Sequence, residues 1–151
     1  MKIIFLDIDG VLNAGRSTYP NDNIETNEGR LNEVLVSRLN RLIENTEAKV
    51  VISSTWRIGS TVQKIKHALE EAGFDGEIIG MTPTSSHGVR GVEIMEWCRE
   101  NENVIENYII IDDDSDMLLW QAPHFFNTDT EYGLTDKIVY KASRFLNGVL
   151  I

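Results

Sequence analysis

The run Ile3-Ile4-Phe5-Leu6-Asp7-Ile8-Asp9-Gly10 constrains the fold more than any other stretch of the sequence. Five of the six residues from Ile3 to Ile8 are apolar, which fits a short strand covered on both faces. Asp7 and Asp9 stand where that strand ends, and Gly10 marks a turn. Two neighbouring carboxylates in such a place repel each other and lose hydration, which is costly unless a cation or a proton compensates. The stretch therefore predicts a metal-assisted reaction centre at the end of a buried strand.

Beyond it, Ala14–Arg30 carries Gly15, Pro20, Gly29 and several Asn, Asp, Thr and Ser residues, the composition of a loop or short flap at about 14–30. Asn32 is placed to cap a helix with Leu35, Leu39, Leu42 and Ile43 on its apolar face, and Leu31 with Val36 to form a hydrophobic staple. Lys49–Ile52 reads as a second strand with the polar outlet Ser53-Ser54-Thr55-Trp56-Arg57. Ser60 and Gln63 predict a capping box for a helix bearing Val62, Ile65, Leu69 and Ala72, with Gly73 as its stop.

A third strand is expected over Glu77–Gly80, then a loop through Pro83, His87 and Gly88 and a helix from about Gly91 bearing Val92, Ile94, Met95, Trp97 and Cys98. Tyr108–Ile111 forms a fourth strand that runs into Asp112-Asp113-Asp114-Ser115-Asp116, and His124–Asn127 a fifth. Thr135 caps a last helix before Gly148. Alternating strands and helices predict parallel pairing with right-handed crossovers, hence a three-layer α/β/α sandwich around a Rossmann-like sheet of about five strands. Reactive groups in such sheets gather at the carboxyl ends of the strands. The Asp7/Asp9, Ser53/Ser54 and Asp112/Asp113 outlets should then converge on one crevice.

Length and charge decide what that crevice serves. A chain of 151 residues is long enough for one domain with a real core, and no apolar run is long enough to span a membrane. The absence of an export signal and the single Cys98 suit a cytoplasmic protein, with Cys98 a buried thiol rather than a nucleophile. A net charge of −10, from 14 Lys and Arg against 24 Asp and Glu, gives no extended surface for duplex nucleic acid. A local Arg cluster could still hold a nucleic-acid end.

Asp7-Ile8-Asp9-Gly10-Val11-Leu12 after a strand resembles the opening motif of the haloacid dehalogenase (HAD) superfamily of phosphotransferases. Ser53 is similar to its second motif, Arg90 stands in the order of its basic third motif, and Asp112-Asp113 with Asp116 beyond is similar to its acidic fourth. Ser-Ser-Thr-Trp-Arg and Ile-Asp-Asp-Asp-Ser-Asp-Met further resemble the phosphatase domains of nucleic-acid end-repair proteins, such as polynucleotide kinase-phosphatases. The resemblance implies that Asp7 is a nucleophile forming an aspartyl phosphate. It also implies that Asp9 protonates the leaving oxygen and then deprotonates water, with its backbone carbonyl binding the metal. Oxygen donors favour Mg²⁺ over zinc, for which one Cys and three scattered His offer little.

Asp113, closely followed by Asp112, is the expected further ligand beside Asp7 and Asp9, and Asp116 either supports the site or caps a helix. Ser53 would donate its hydroxyl and Ser54 a backbone N–H to the phosphoryl group, while Arg90 would neutralise charge and orient Asp7. Lys64, Lys66 and Arg57 compete for the Arg90 role. Arg57 and Gly10 complete the substrate-binding candidates, Arg57 being equally consistent with a structural role. Trp56, Trp97 and Trp120 read as core or rim residues, and His87 as a surface His.

The gaps after the first and second motifs leave no room for a full cap domain, and an uncovered site admits a bulky substrate. The expected function is a capless Mg²⁺-dependent phosphatase of 3′- or 5′-phosphate ends of nucleic acid. Phosphatases of nucleotides, sugar phosphates or phosphoproteins are the alternatives within enzymes, and a noncatalytic phosphate- or metal-binding module lies outside them. A receiver domain fits poorly, because its acceptor Asp belongs after the third strand, where Gly80-Met81-Thr82 stand.

Overall fold

The computed structural model describes residues 1–13 and 31–149, so the flap expected at 14–30 lies outside the described residues. β1 (Lys2–Leu6), β2 (Lys49–Ile52), β3 (Ile78–Met81), β4 (Asn107–Asp112) and β5 (Phe125–Asn127) form one sheet in the order β3-β2-β1-β4-β5, with every pairing parallel. The helices are α1 (Glu33–Thr46), α2 (Val62–Glu71), α3 (Arg90–Glu100) and α4 (Asp136–Leu146). The α/β architecture and five-stranded parallel sheet match the expectation. Among the described residues no cap is inserted.

β1 is central because it is apolar on both sides. Ile3, Ile4, Phe5 and Leu6 are all fully buried, each such side chain contributing about 1.5–3 kcal/mol. Ile4 and Leu6 face a cluster that includes Leu39 and Leu42 of α1, Ile65 and Leu69 of α2 and Val139 of α4. Ile3 and Phe5 face Ile94 and Trp97 of α3, and Phe5 meets the rings of Trp97 and Tyr108 edge-on. The α3 face is thus covered by one helix and the opposite face by three.

The chain lays down β1, β2 and β3 to one side and then returns past β1 to build β4 and β5. Ile3 pairs with Lys49 on one flank and Tyr108 on the other, so β1 and β4 are neighbours across the reversal of strand order. That reversal opens a crevice at the carboxyl ends of the strands. Hydrogen bonds continue one residue past the strands, from Asp7 N to Ile111 O (3.0 Å), Ser53 N to Leu6 O (3.0 Å) and Thr82 N to Ile52 O (2.9 Å). They hold Thr82, Ser53, Asp7 and Asp112 in one row along the edge.

Element ends depart from expectation in several places. The cap of α2 is Thr61, which accepts from Lys64 N, not Ser60 with Gln63: two adjacent hydroxyls compete, and Thr61 holds the extended backbone (φ −128°, ψ 159°) that a cap needs. β3 is Ile78–Met81, one residue later than expected, with a register irregularity between Val50 and Val51 of its partner. α3 starts at Arg90 behind Val89, which makes no side-chain cap. Asn32 and Thr135 cap α1 and α4 as expected.

Candidate active site

Asp7 leaves the end of β1, 4 % exposed, and Asp112 leaves the end of β4, fully buried. With Asp113 they form a group whose carboxylate oxygens lie within 4.8 Å of one another. Arg90, the first residue of α3, places Nη1 3.0 Å from Asp7 Oδ1 and 2.6 Å from Asp112 Oδ2. Asp116 fixes the base of that arginine, since its Oδ2 accepts the Arg90 backbone N–H at 3.0 Å. Asp116 therefore caps α3 from another segment and supports Arg90 together.

Burial is the main force on these charges. It pushes Asp7 up to about 8, helped by the charge of Asp112 and a hydrogen bond with Asp113, and opposed by Arg90. Asp112 is raised for the same reason, again with Arg90 opposing. Burial disfavours the charge on Arg90 too, but Asp112 foremost, then Asp7 and Asp116, raise its affinity for the proton overall. One cation thus serves two carboxylates, and a third stands beside them. Such an all-oxygen carboxylate set, short of positive charge, fits a hard divalent cation such as Mg²⁺. Among the described residues, Asp7, Asp112 and Asp113 are the side chains grouped closely enough to hold it.

The Asp9 carboxylate lies outside that group. It is exposed, and its Oδ1 accepts two bonds, from Asn13 Nδ2 (2.6 Å) and Trp56 Nε1 (3.0 Å). Any part of Asp9 in holding a metal would have to come from its backbone carbonyl. Gly10 has φ +78°, and a Cβ there would stand 2.5 Å from Asp113 Cγ. Its N–H is taken by Asn13 Oδ1 (3.0 Å), and the missing side chain of Gly10 makes room for Asp113.

At the end of β2, Ser53 is fully buried and its hydroxyl has no hydrogen-bond partner among the described residues. An unpaired buried hydroxyl costs about 1–3 kcal/mol, which a phosphoryl oxygen would relieve. The Ser54 hydroxyl accepts from Trp56 N (3.2 Å) and shapes the 3₁₀ turn Thr55–Arg57, so only its backbone remains for the expected substrate contact.

Of the two roles open to Arg57, substrate clamp or structural residue, its contacts match the structural one. Its side chain is buried, donates to the carbonyls of Thr82 (3.1 Å), Ser53 (3.2 Å), Ser54 (2.8 Å) and Pro83 (3.4 Å), and pairs with buried Glu93 of α3 at 2.8 Å. The physical reason is that carbonyls at the ends of β2 and β3 turn inward and need a donor. Of the other rivals to Arg90, Lys66 pairs with Glu70 on its own helix at 3.8 Å. Burial pushes the Cys98 thiol up to about 11, unsuited to a nucleophile at neutral pH.

Several contributors carried no sequence signal. Thr130 Oγ1 donates to Asp113 Oδ2 (3.0 Å), Thr128 Oγ1 to Gly10 O (2.9 Å) and Asn127 Nδ2 to Asp112 O (3.1 Å). The end of β5 and the segment after it thereby tie the first outlet to the acidic one. Glu93 was hidden beside Val92 and Ile94 on a helix read only for its apolar face. Asn13, four residues after Asp9, is the one of these that turn chemistry could have found.

The sequence model of one family, described as HAD domain in Swiss Army Knife RNA repair proteins, matches residues 3–139. No curated protein and no solved structure matches the chain.

Proposed function

Because the chain belongs to the family of HAD domains in Swiss Army Knife RNA repair proteins, we propose that it is a Mg²⁺-dependent phosphomonoesterase acting on phosphorylated ends of nucleic acid, RNA foremost. The observation that carries this reading is the cluster of Asp7, Asp112 and Asp113 within 4.8 Å, with Arg90 3.0 Å from Asp7. Asp7, Asp112 and Asp113 would hold Mg²⁺, which when bound offsets the negative charge of the phosphoryl oxygens and favours ionised Asp7.

Asp7 attacks phosphorus, the bond to the ester oxygen breaks, and an aspartyl phosphate forms on Asp7. Asp9 gives its proton to the departing oxygen, then takes one from the water that hydrolyses the intermediate. The Ser53 hydroxyl and Ser54 N–H bind a phosphoryl oxygen, and Arg90 holds Asp7 in line while countering charge that builds in the transition state. Recognition of an end needs only this local site, so a chain of net charge −10 can act on nucleic acid without gripping its length. Among the described residues no helix is long and apolar enough to cross a membrane.

Phosphate release measured with Mg²⁺ on RNA and DNA oligonucleotides bearing 3′ or 5′ phosphates, alongside nucleotides, sugar phosphates and a phosphopeptide, tests the reading. Release from RNA ends, abolished in Asp7→Asn, is expected. Hydrolysis confined to small esters would move the substrate class, and an Asp7→Asn variant as active as wild type would remove Asp7 as nucleophile.

A further inference from the structure

We propose that Trp56 is a positioning residue for proton transfer, holding Asp9 in a fixed rotamer through its indole N–H. The inference rests on the reading of Asp9 as the group that exchanges a proton with the leaving oxygen. Asp9 is exposed, and an exposed carboxylate ordinarily samples several rotamers. Here Trp56 Nε1 at 3.0 Å and Asn13 Nδ2 at 2.6 Å both donate to Oδ1. Two N–H donors fill the lone pairs of that oxygen, so the proton that Asp9 passes on belongs to Oδ2.

The donor itself is rigidly mounted. The Trp56 ring packs against the main core while its N–H reaches the carboxylate, an apolar anchor with a polar tip. Its backbone is fixed by the turn Thr55–Arg57: Ser54 Oγ accepts from Trp56 N at 3.2 Å, and Arg57 bolts the turn to Thr82 O and to Glu93. Asn13 is mounted in turn by the Gly10 N–H. Donors from two elements, the turn after β1 and the turn after β2, thus meet on one atom. A solvent-facing carboxylate needs no such support for stability. A group that must meet a leaving oxygen twice per turnover does, because misplaced proton transfer slows the reaction without weakening substrate binding.

Leaving groups separate this role from a structural one. An alkyl alkoxide must be protonated as it departs, whereas p-nitrophenolate need not be, and kcat/KM reports only the steps through formation of the aspartyl phosphate. The measured quantity is the ratio of kcat/KM for p-nitrophenyl phosphate to that for an alkyl phosphomonoester, either β-glycerophosphate or a 3′-phosphorylated oligonucleotide. Asp9→Asn should raise the ratio by about 10²-fold or more, and Trp56→Phe by about tenfold with KM little changed. In the Asp9→Asn background, Trp56→Phe should add no further change, since it acts through Asp9.

If the Phe variant does not fold, Trp56→Met fills the same apolar space without a donor and enters the same cycle. A ratio unchanged by Trp56→Phe but raised by Asp9→Asn overturns the role of Trp56 and leaves that of Asp9 standing. Equal losses on both esters, persisting in the Asp9→Asn background, show a merely structural Trp56 and also overturn it. A ratio unmoved by Asp9→Asn removes the proton-transfer reading and this inference with it.

Discussion

Asp113 lies where a side chain on residue 10 would have to go: a Cβ on Gly10 would stand 2.5 Å from Asp113 Cγ and 2.9 Å from Asp113 Cβ. The glycine after the paired aspartates is thus a steric condition for the third carboxylate. Its φ of +78° adds a second demand, because L side chains disfavour that region.

Gly10→Ala should therefore displace Asp113 and strain the turn, lowering stability by about 1–3 kcal/mol. Mg²⁺ affinity should fall at least tenfold. Thermal denaturation and Mg²⁺ titration check the two effects. An alanine variant with wild-type affinity would mean that Asp113 is no ligand.

Arg90→Ala removes the cation shared by Asp7 and Asp112. Phosphate release should fall on the order of 10²-fold. Arg90→Lys should recover only part of the loss, because a single ammonium cannot reproduce the fixed donor geometry of the guanidinium. Steady-state kinetics on the best substrate from the screen decide it, and a lysine variant equal to wild type would reduce Arg90 to a point charge.

The raised Asp7 and Asp112 link stability to pH. The Asp7 carboxyl titrates near about 8 in the fold, against about 3.9 in an unfolded chain. The folded state therefore holds this proton more tightly, and the resulting stability is complete below about pH 4 and lost as pH rises toward about 8. Without divalent cation, the melting temperature should fall between about pH 5 and about pH 8 more steeply in wild type than in Asp7→Asn. Mg²⁺, which favours the ionised carboxylate, should raise the melting temperature more at the upper end of that range. Parallel curves for the two proteins would show that Asp7 is not the titrating group.

Arg57→Ala leaves buried Glu93 without its cation and the Ser53, Ser54 and Thr82 carbonyls without that donor. Stability should drop by about 3–5 kcal/mol, as read by urea denaturation. Glu93→Gln should cost less, since an amide oxygen can still accept from Ser85 N. Wild-type stability of Arg57→Ala together with a raised KM would return Arg57 to the substrate.

The strands and the carboxylates at their ends were legible because they are local. β1 reads directly as apolar residues closed by charge, and the 3.6-residue spacing of α1 and α4 was plain, as were their caps at Asn32 and Thr135. Arg90 was legible in order along the chain but not in contact. Arg57 stayed open between two roles because a guanidinium next to a candidate phosphate site looks the same in sequence whether it faces ligand or carbonyls. A capping role for Asp116 was foreseen, but not that the helix is α3, whose start lies 26 residues before it in the chain.

The sequence by itself determined the layers and the gathering of acidic and polar groups at the carboxyl edge of the sheet, because periodicity and strand ends are properties of neighbouring residues. Only the tertiary structure decided their partners: Asp113 beside Gly10, Arg90 between Asp7 and Asp112, and Asp9 facing Trp56. Those pairings depend on strand order, which sets β4 against β1 across 100 residues of chain. The paired aspartates of the first strand thus became two distinct groups, Asp7 buried and raised, Asp9 exposed and held by donors from two turns.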